Sequence, residues 1–289
     1  MLFSASFACA DEISEAFSGK APEAVIKSTR RLIQSGLNRQ DTIEVTRAMQ
    51  QNEFTVQQIL DAHAVLMKAH QKGVPPEPII SKAYEGMSKQ VTAGNIVGAM
   101  QKVQSRYDFA HQQAQKLSTR KNHVNQMAHI MAAGLAAGLD PIGFETIVKE
   151  LQVRFQEMKT DQQAALAIET FKASRDIARL GVSSSQSVSV VVTALQHQFD
   201  YIQMQNMRVS FIKRSRTNTP QSLAASYAAA IERGVDFGAP DNGPPGKSGG
   251  AGPGGSDGGR GPGGSDGGGG PGGSDGGGHG GDGGNGKSN

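Results

Sequence analysis

Two histidines, His63 and His70, stand seven residues apart in a stretch that carries Val56, Ile59, Leu60 and Met67 at helical spacing. Imidazoles on an apolar helix face can sense pH, because their ordinary pKa lies near neutrality. They are badly spaced for a shared metal. Ligands on one helix usually stand three or four residues apart, whereas seven residues span about 10 Å. The expectation is two packing histidines, each hydrogen-bonded to a neighbour. His123 and His129 say less, and His279 is a lone imidazole in a glycine run. No Ser/His/Asp order or paired carboxylate stands out, so no catalytic, cofactor or metal residue is assigned.

Two basic stretches are the remaining candidates. Lys116, Arg120 and Lys121, with His123, form one; Arg208, Lys213, Arg214 and Arg216, around Phe211, form the other. Such patches can hold phosphate backbones or acidic lipid head groups. The simpler reading is cationic side chains at helix C-termini plus a solvated face.

The C-terminal segment offers two apparent motifs that fail on chemistry. Gly-Pro-Gly-Gly-Ser-Asp-Gly-Gly begins at 252, 261 and 270, a period of nine. Calcium-binding β-rolls share that period and composition, but they need an apolar residue where this repeat has Gly or Pro, and proline cannot join a strand ladder. Gly246-Lys247-Ser248 resembles the end of a phosphate-binding loop, yet Asp241 occupies the place of its first glycine. Residues 239–289 are therefore expected to be a disordered, low-complexity Gly/Ser/Asp/Pro tail.

Charge divides accordingly. Five Asp against Lys247, Arg260 and Lys287 leave the tail near −2, so residues 1–238 hold about +5 of the total of +3. That excess is mild. The body has no Trp, and its core must be built from Leu, Ile, Val, Met and Ala, which suits packed helices. No apolar run is long enough to span a bilayer. Cys9 is the only cysteine, so no intramolecular disulfide forms. Ala8-Cys9-Ala10 before Asp11-Glu12 resembles a signal-peptidase site without the usual positive start. Residues 1–10 are thus either a truncated export signal, placing the chain in a periplasm or outside the cell, or a plain apolar start to a cytoplasmic chain. Acylation of Cys9 is weaker, for lack of the leucine that precedes such cysteines.

The elements that must position these residues are marked by helix stops. Gly36-Leu37-Asn38, Gly73-Val74-Pro75, Gly138-Leu139-Asp140, Gly181-Val182-Ser183 and Gly234-Val235-Asp236 share one order: a glycine that ends a helix, an apolar residue that folds back, and a residue that starts the next. Thr55-Val-Gln-Gln and Thr160-Asp-Gln-Gln fit capping boxes. Thr92 and Thr219-Pro220 mark further starts. Gly36 to Thr55, Thr55 to Gly73 and Gly73 to Thr92 are each 18–19 residues apart, a helix–turn–helix unit of about 37 residues. Tetratricopeptide and HEAT-type units have similar lengths, but their signature residues are missing. Gly134, in a run of small residues, suits a close helix approach.

Two apolar stripes alternate steps of four and three: Ile96 to Leu117, resuming at Val124 to Leu135, and Val188 to Val209 through Phe199, Ile202 and Asn206. They predict coiled-coil-like helices over 95–137 (one rod, or two bent near Ser118-Thr119) and 184–213, packed lengthwise on each other or on a second copy.

The expected fold is all-α: seven to nine helices in irregular tandem hairpins, a solenoid or elongated bundle, with halves at 11–117 and 118–238. The expected function is a non-enzymatic helical interaction or scaffold protein with a protein partner or self-association. The alternatives are a nucleic-acid or anionic-surface binder using the basic helix ends, and an enzyme with an unrecognised site.

Overall fold

The computed structural model describes residues 21–235 together with Ile13, Glu15, Phe17 and Phe237. The leader at 1–10 and the tail at 239–289, with their export, calcium-binding and disorder readings, lie outside the described residues.

Eleven helices and no strand occur among the described residues. They are α1 Glu23–Gln34, α2 Arg39–Gln51, α3 Val56–Gln71, α4 Glu77–Ser88, α5 Ala93–Gln115, α6 Lys121–Ala136, α7 Pro141–Phe155, α8 Thr160–Arg179, α9 Ser184–Gln196, α10 Tyr201–Arg214 and α11 Pro220–Glu232. The all-α expectation holds; the number of helices exceeds it. One long helix over 184–213 is corrected to two, because the backbone turns left-handed at Gln198 and Asp200 caps a new helix through a box with Gln203. Of the two possibilities for 95–137, the structure has two helices, parted at 116–120 around Ser118-Thr119.

The stops have one geometry. Gly36, Gly73, Gly138, Gly181 and Gly234 all have positive φ, from 71° to 109°. Glu53, Gln90 and Gln198 hold the same place at φ 54–60°. The following residue's N–H reaches back to the carbonyl five residues earlier at Leu37, Phe54, Val74, Val91, Leu139, Phe199 and Val235, over 3.0–3.2 Å. These bonds satisfy carbonyls that a helix end would orphan. The capping box at Thr55 and Gln58 forms. The one expected at Thr160 does not: Lys159 is the cap residue, and Gln163 Nε2 instead donates to the carbonyls of Phe155 and Met158.

Because the connections are only four or five residues long, consecutive helices reverse direction and each helix runs beside the one two places on. α1, α3, α5, α7, α9 and α11 pack in series; α2 packs on α4, and α6, α8 and α10 form a second series. One apolar core runs from Val25 to Phe237, and the broadest helix–helix contact is the α5–α6 pair. The stripe on α5 is buried from Ile96 to Ala114, but against several neighbours, chiefly α6, α4 and α3. α10 packs mainly on α8, and Ile202 and Val209 of the second stripe face solvent. The two stripes therefore do not form a shared lengthwise seam within the chain. At the C-terminal end, Phe211, Tyr227 and Phe237 stack with ring centroids 5.1–5.4 Å apart, and Tyr227 and Ser210 share a hydroxyl–hydroxyl bond of 2.7 Å.

Candidate functional site

The structure draws one basic stretch around a cavity and ties part of the other into the helical body. The cavity, of about 330 Å³, opens between the α5–α6 turn and the start of α8. Lys116, Ser118, Thr119 and Arg120 line it from the turn, His123 from α6, and Thr160 and Asp161 from α8. The turn is held by the Leu117 and Ser118 N–H groups on the Ala114 carbonyl and by Ser118 Oγ accepting from the Arg120 N–H at 3.2 Å. Lys121 lies next to this group, exposed, and does not line the cavity.

Of this stretch, only Lys116 stands at a helix C-terminus. Arg120 and Lys121 begin α6, and Lys159 begins α8, with no side-chain cap at either start. Cations there add to the positive end of the helix dipole, where carboxylates are the stabilising choice. Asp161 offsets one charge in the first turn of α8, and Lys116 Nζ donates to Gln113 Oε1 at 2.9 Å. The end of the α6–α8 pair is thus electropositive, beside a cleft whose volume falls at the lower end of small-molecule sites.

In the second stretch, Arg208 faces inward from α10 to α8. Its guanidinium donates to Asp176 Oδ2 and to Glu169 Oε2, each at 3.2 Å. Lys172 joins Glu169, and Arg175 joins Asp176. Lys213 and Arg214 occupy the last turn of α10, where they complement its dipole, and Arg216 is exposed beyond it. None of the four lines the cavity at Lys116 and Arg120.

Four histidines, His63, His70, His111 and His129, take packing roles. His63 is buried between two hydroxyls, with Nε2 2.9 Å from Thr46 Oγ1 and Nδ1 2.9 Å from Ser28 Oγ. Burial lowers its pKa to about 4. His70 Nε2 donates to the Ser35 carbonyl at 2.6 Å, against the stop at Gly36. Sequence reading passed over His111, which is buried near Gly73 and whose pKa is also lowered by burial. His129 Nδ1 and the Tyr107 hydroxyl lie 2.7 Å apart.

Polar ties join α1 to α3 (Ser28–His63 and Ser35–His70), α3 to α5 (Lys72–Asp108) and α5 to α7 (Lys116–Gln152) at separations of 35 or 36 positions, whereas α7 is tied to α9 at 44 and 46 (Asp140–Ser184 and Glu150–Gln196). Among the described residues no group of three or more metal-ligating side chains gathers, and no helix is long and apolar enough to cross a membrane. The sequence matches no family model, no curated protein and no solved structure.

Proposed function

We propose that this chain is a non-enzymatic helical interaction or scaffold protein built from irregular helical hairpins, with units of about 37 residues in its first half and longer elements in its second. The observation that carries this reading is the series of six odd-numbered helices, each packed on the next, the first four of them tied at intervals of 35–36 positions. Stacked hairpins offer extended surfaces to partners, and that is the usual use of such architecture. The inference runs from architecture to function. On α7 the outward face carries Ile142 and Val153, 75% and 60% exposed. Apolar side chains left in water on one helix face suit protein contact. The histidine with the largest shift, His63, is enclosed by Ser28 and Thr46 and cannot meet a substrate, which disfavours the enzymatic alternative. If the leader at 1–10 directs export, the partner is met in a periplasm or outside the cell. The test is a photo-crosslinking residue at Ile142 or Val153 of the full chain, irradiated in extract of its source. A discrete macromolecular adduct, competed by unlabelled chain, is expected; a lack of any competable adduct at both positions overturns the reading.

A second reading is favoured by the cavity at Lys116 and Arg120: the capture of an anionic surface or nucleic acid. Binding of a single-stranded oligonucleotide should then fall steeply between 50 and 200 mM salt. Arg120→Gln with Lys121→Gln should weaken it further, and salt-insensitive binding would count against it.

A further inference from the structure

We infer that the cavity between the α5–α6 turn and the start of α8 binds a protonated phosphate, and that Asp161 selects it by accepting the proton of a P–O–H group. The inference rests on the second reading above and narrows its anion to one chemical class.

The wall of this cavity, of about 330 Å³, carries two kinds of group. Lys116, Arg120 and His123 bring N–H donors, and Asp161 brings a carboxylate. Among the described residues, the side chains of Arg120, His123 and Asp161 make no hydrogen bond or ion pair, although all three border one space. Opposite charges that meet at a cavity without pairing leave the guanidinium donors and the carboxylate lone pairs open to a third party.

The helices hold these groups on facing walls. Arg120 and His123 stand three positions apart at the start of α6, and Asp161 lies in the first turn of α8, which packs along α6. Ser118 Oγ accepts from the Arg120 N–H at 3.2 Å, which leaves its own proton to donate. Lys116 Nζ gives one proton to Gln113 and keeps two.

Donors alone would take any small oxyanion. The carboxylate changes the preference, because an ionised carboxylate only accepts. It repels a ligand oxygen that bears no proton and accepts a hydrogen bond from one that does. Inorganic phosphate keeps a P–O–H throughout the neutral range. Sulfate has none, and neither has the phosphodiester of a nucleic-acid backbone. Phosphate therefore meets both walls, with its charged oxygens toward Lys116, Arg120 and His123 and its hydroxyl toward Asp161. A phosphate monoester carries the same proton below about pH 6, so a lipid that ends in one is a second source of the group.

The test is equilibrium dialysis of the full chain against ³²P-labelled inorganic phosphate at neutral pH. Binding should saturate, and unlabelled sulfate should compete at least about tenfold more weakly than unlabelled phosphate. Asp161→Asn should remove that preference, since an asparagine amide donates as readily as it accepts. Arg120→Gln with His123→Gln should lose binding of both anions. Arg120 and Asp161 are exposed and His123 is half-buried, so these variants keep the fold. A second arm uses vesicles of phosphatidic acid and of phosphatidylglycerol, a diester, at about pH 5.5. Co-sedimentation with phosphatidic acid alone would place the bound phosphate on a lipid. The inference is overturned if neither phosphate nor phosphatidic acid binds, if sulfate competes as well as phosphate, or if Asp161→Asn keeps the preference. Salt-sensitive oligonucleotide binding without phosphate binding would sink the phosphate assignment alone. Absence of both would sink the anion reading as well.

Discussion

His63 Nε2 lies 2.9 Å from Thr46 Oγ1, and that hydroxyl already donates to the Thr42 carbonyl at 2.7 Å. Thr46 must therefore accept from the imidazole, which places the ring proton on Nε2 and leaves Nδ1 to accept from Ser28. The neutral ring is fully satisfied; a second proton would make Nδ1 a donor to Ser28 Oγ and leave a full charge in a buried site, which burial disfavours.

This fixes the sign of a pH effect. The folded-state pKa of about 4 lies below the ordinary 6.5, so the unfolded chain binds more protons between those values. The contribution of His63 is complete above pH 6.5 and is lost as pH falls toward 4. The loss by pH 4.5 is about 2–3 kcal/mol, from 1.36 kcal/mol per pKa unit. Urea unfolding at pH 7.5 and 4.5 should show it, and His63→Gln should remove most of it. His111 shifts in the same direction and should leave a residue of the effect. A variant with an undiminished acid loss would place the sensitivity elsewhere.

The stop positions differ in the strain they hold. A Cβ on Gly138 would meet nothing within 4 Å, so its φ of +103° is the sole objection to a side chain there. Gly138→Ala should cost about 1–2 kcal/mol. Gly73→Ala, at φ +71°, should cost less, on the order of 1 kcal/mol. Conversely, Gln198→Gly relieves a side chain held at φ 60° and should stabilise by up to about 1 kcal/mol. Denaturant midpoints decide; equal costs at Gly138 and Gly73 would contradict the ranking.

Gly134 is set by packing. A Cβ there would stand 2.7 Å from Phe144 Cζ and 3.1 Å from Leu139 Cδ1. Phe144 is fully buried and also meets Phe171 at 6.0 Å between centroids, so its ring has little room to yield. Gly134→Ala should destabilise by about 1–3 kcal/mol despite better helix propensity. Phe144→Leu should lower that penalty in a double-mutant cycle. Strict additivity of the two changes would rule the clash out.

Arg208 and Arg216 should separate cleanly. Arg208→Met strips Glu169 and Asp176 of the cation that bridges α8 and α10, and should cost about 2–3 kcal/mol. Arg216→Met, at an exposed site, should change stability by less than about 0.5 kcal/mol. Thermal melts at neutral pH suffice, and an inert Arg208→Met would return that arginine to the solvated surface.

Much of the organisation is legible in local chemistry. Helix starts and stops depend on backbone bonds within a few residues, so Gly36, Gly73, Gly138, Gly181 and Gly234 announce the ends they make, as does the Thr55 box. Glu53, Gln90 and Gln198 escape the same reading because glutamate and glutamine do not signal positive φ; the six-residue bond of the following apolar residue reveals them. A period-seven stripe likewise continues through a break, since Phe199 in the α9–α10 turn is as buried as a helix position. What only the tertiary structure decided is which groups face each other. Arg208 and Arg120 are alike in sequence, yet one is drawn to carboxylates 32 and 39 positions away and the other borders a cleft. Gln104 looks like any polar helix residue until α3 closes over it. Burial and charge pairing arise from helices two places apart in the chain, and those distances are set by the stack, which no local spacing encodes.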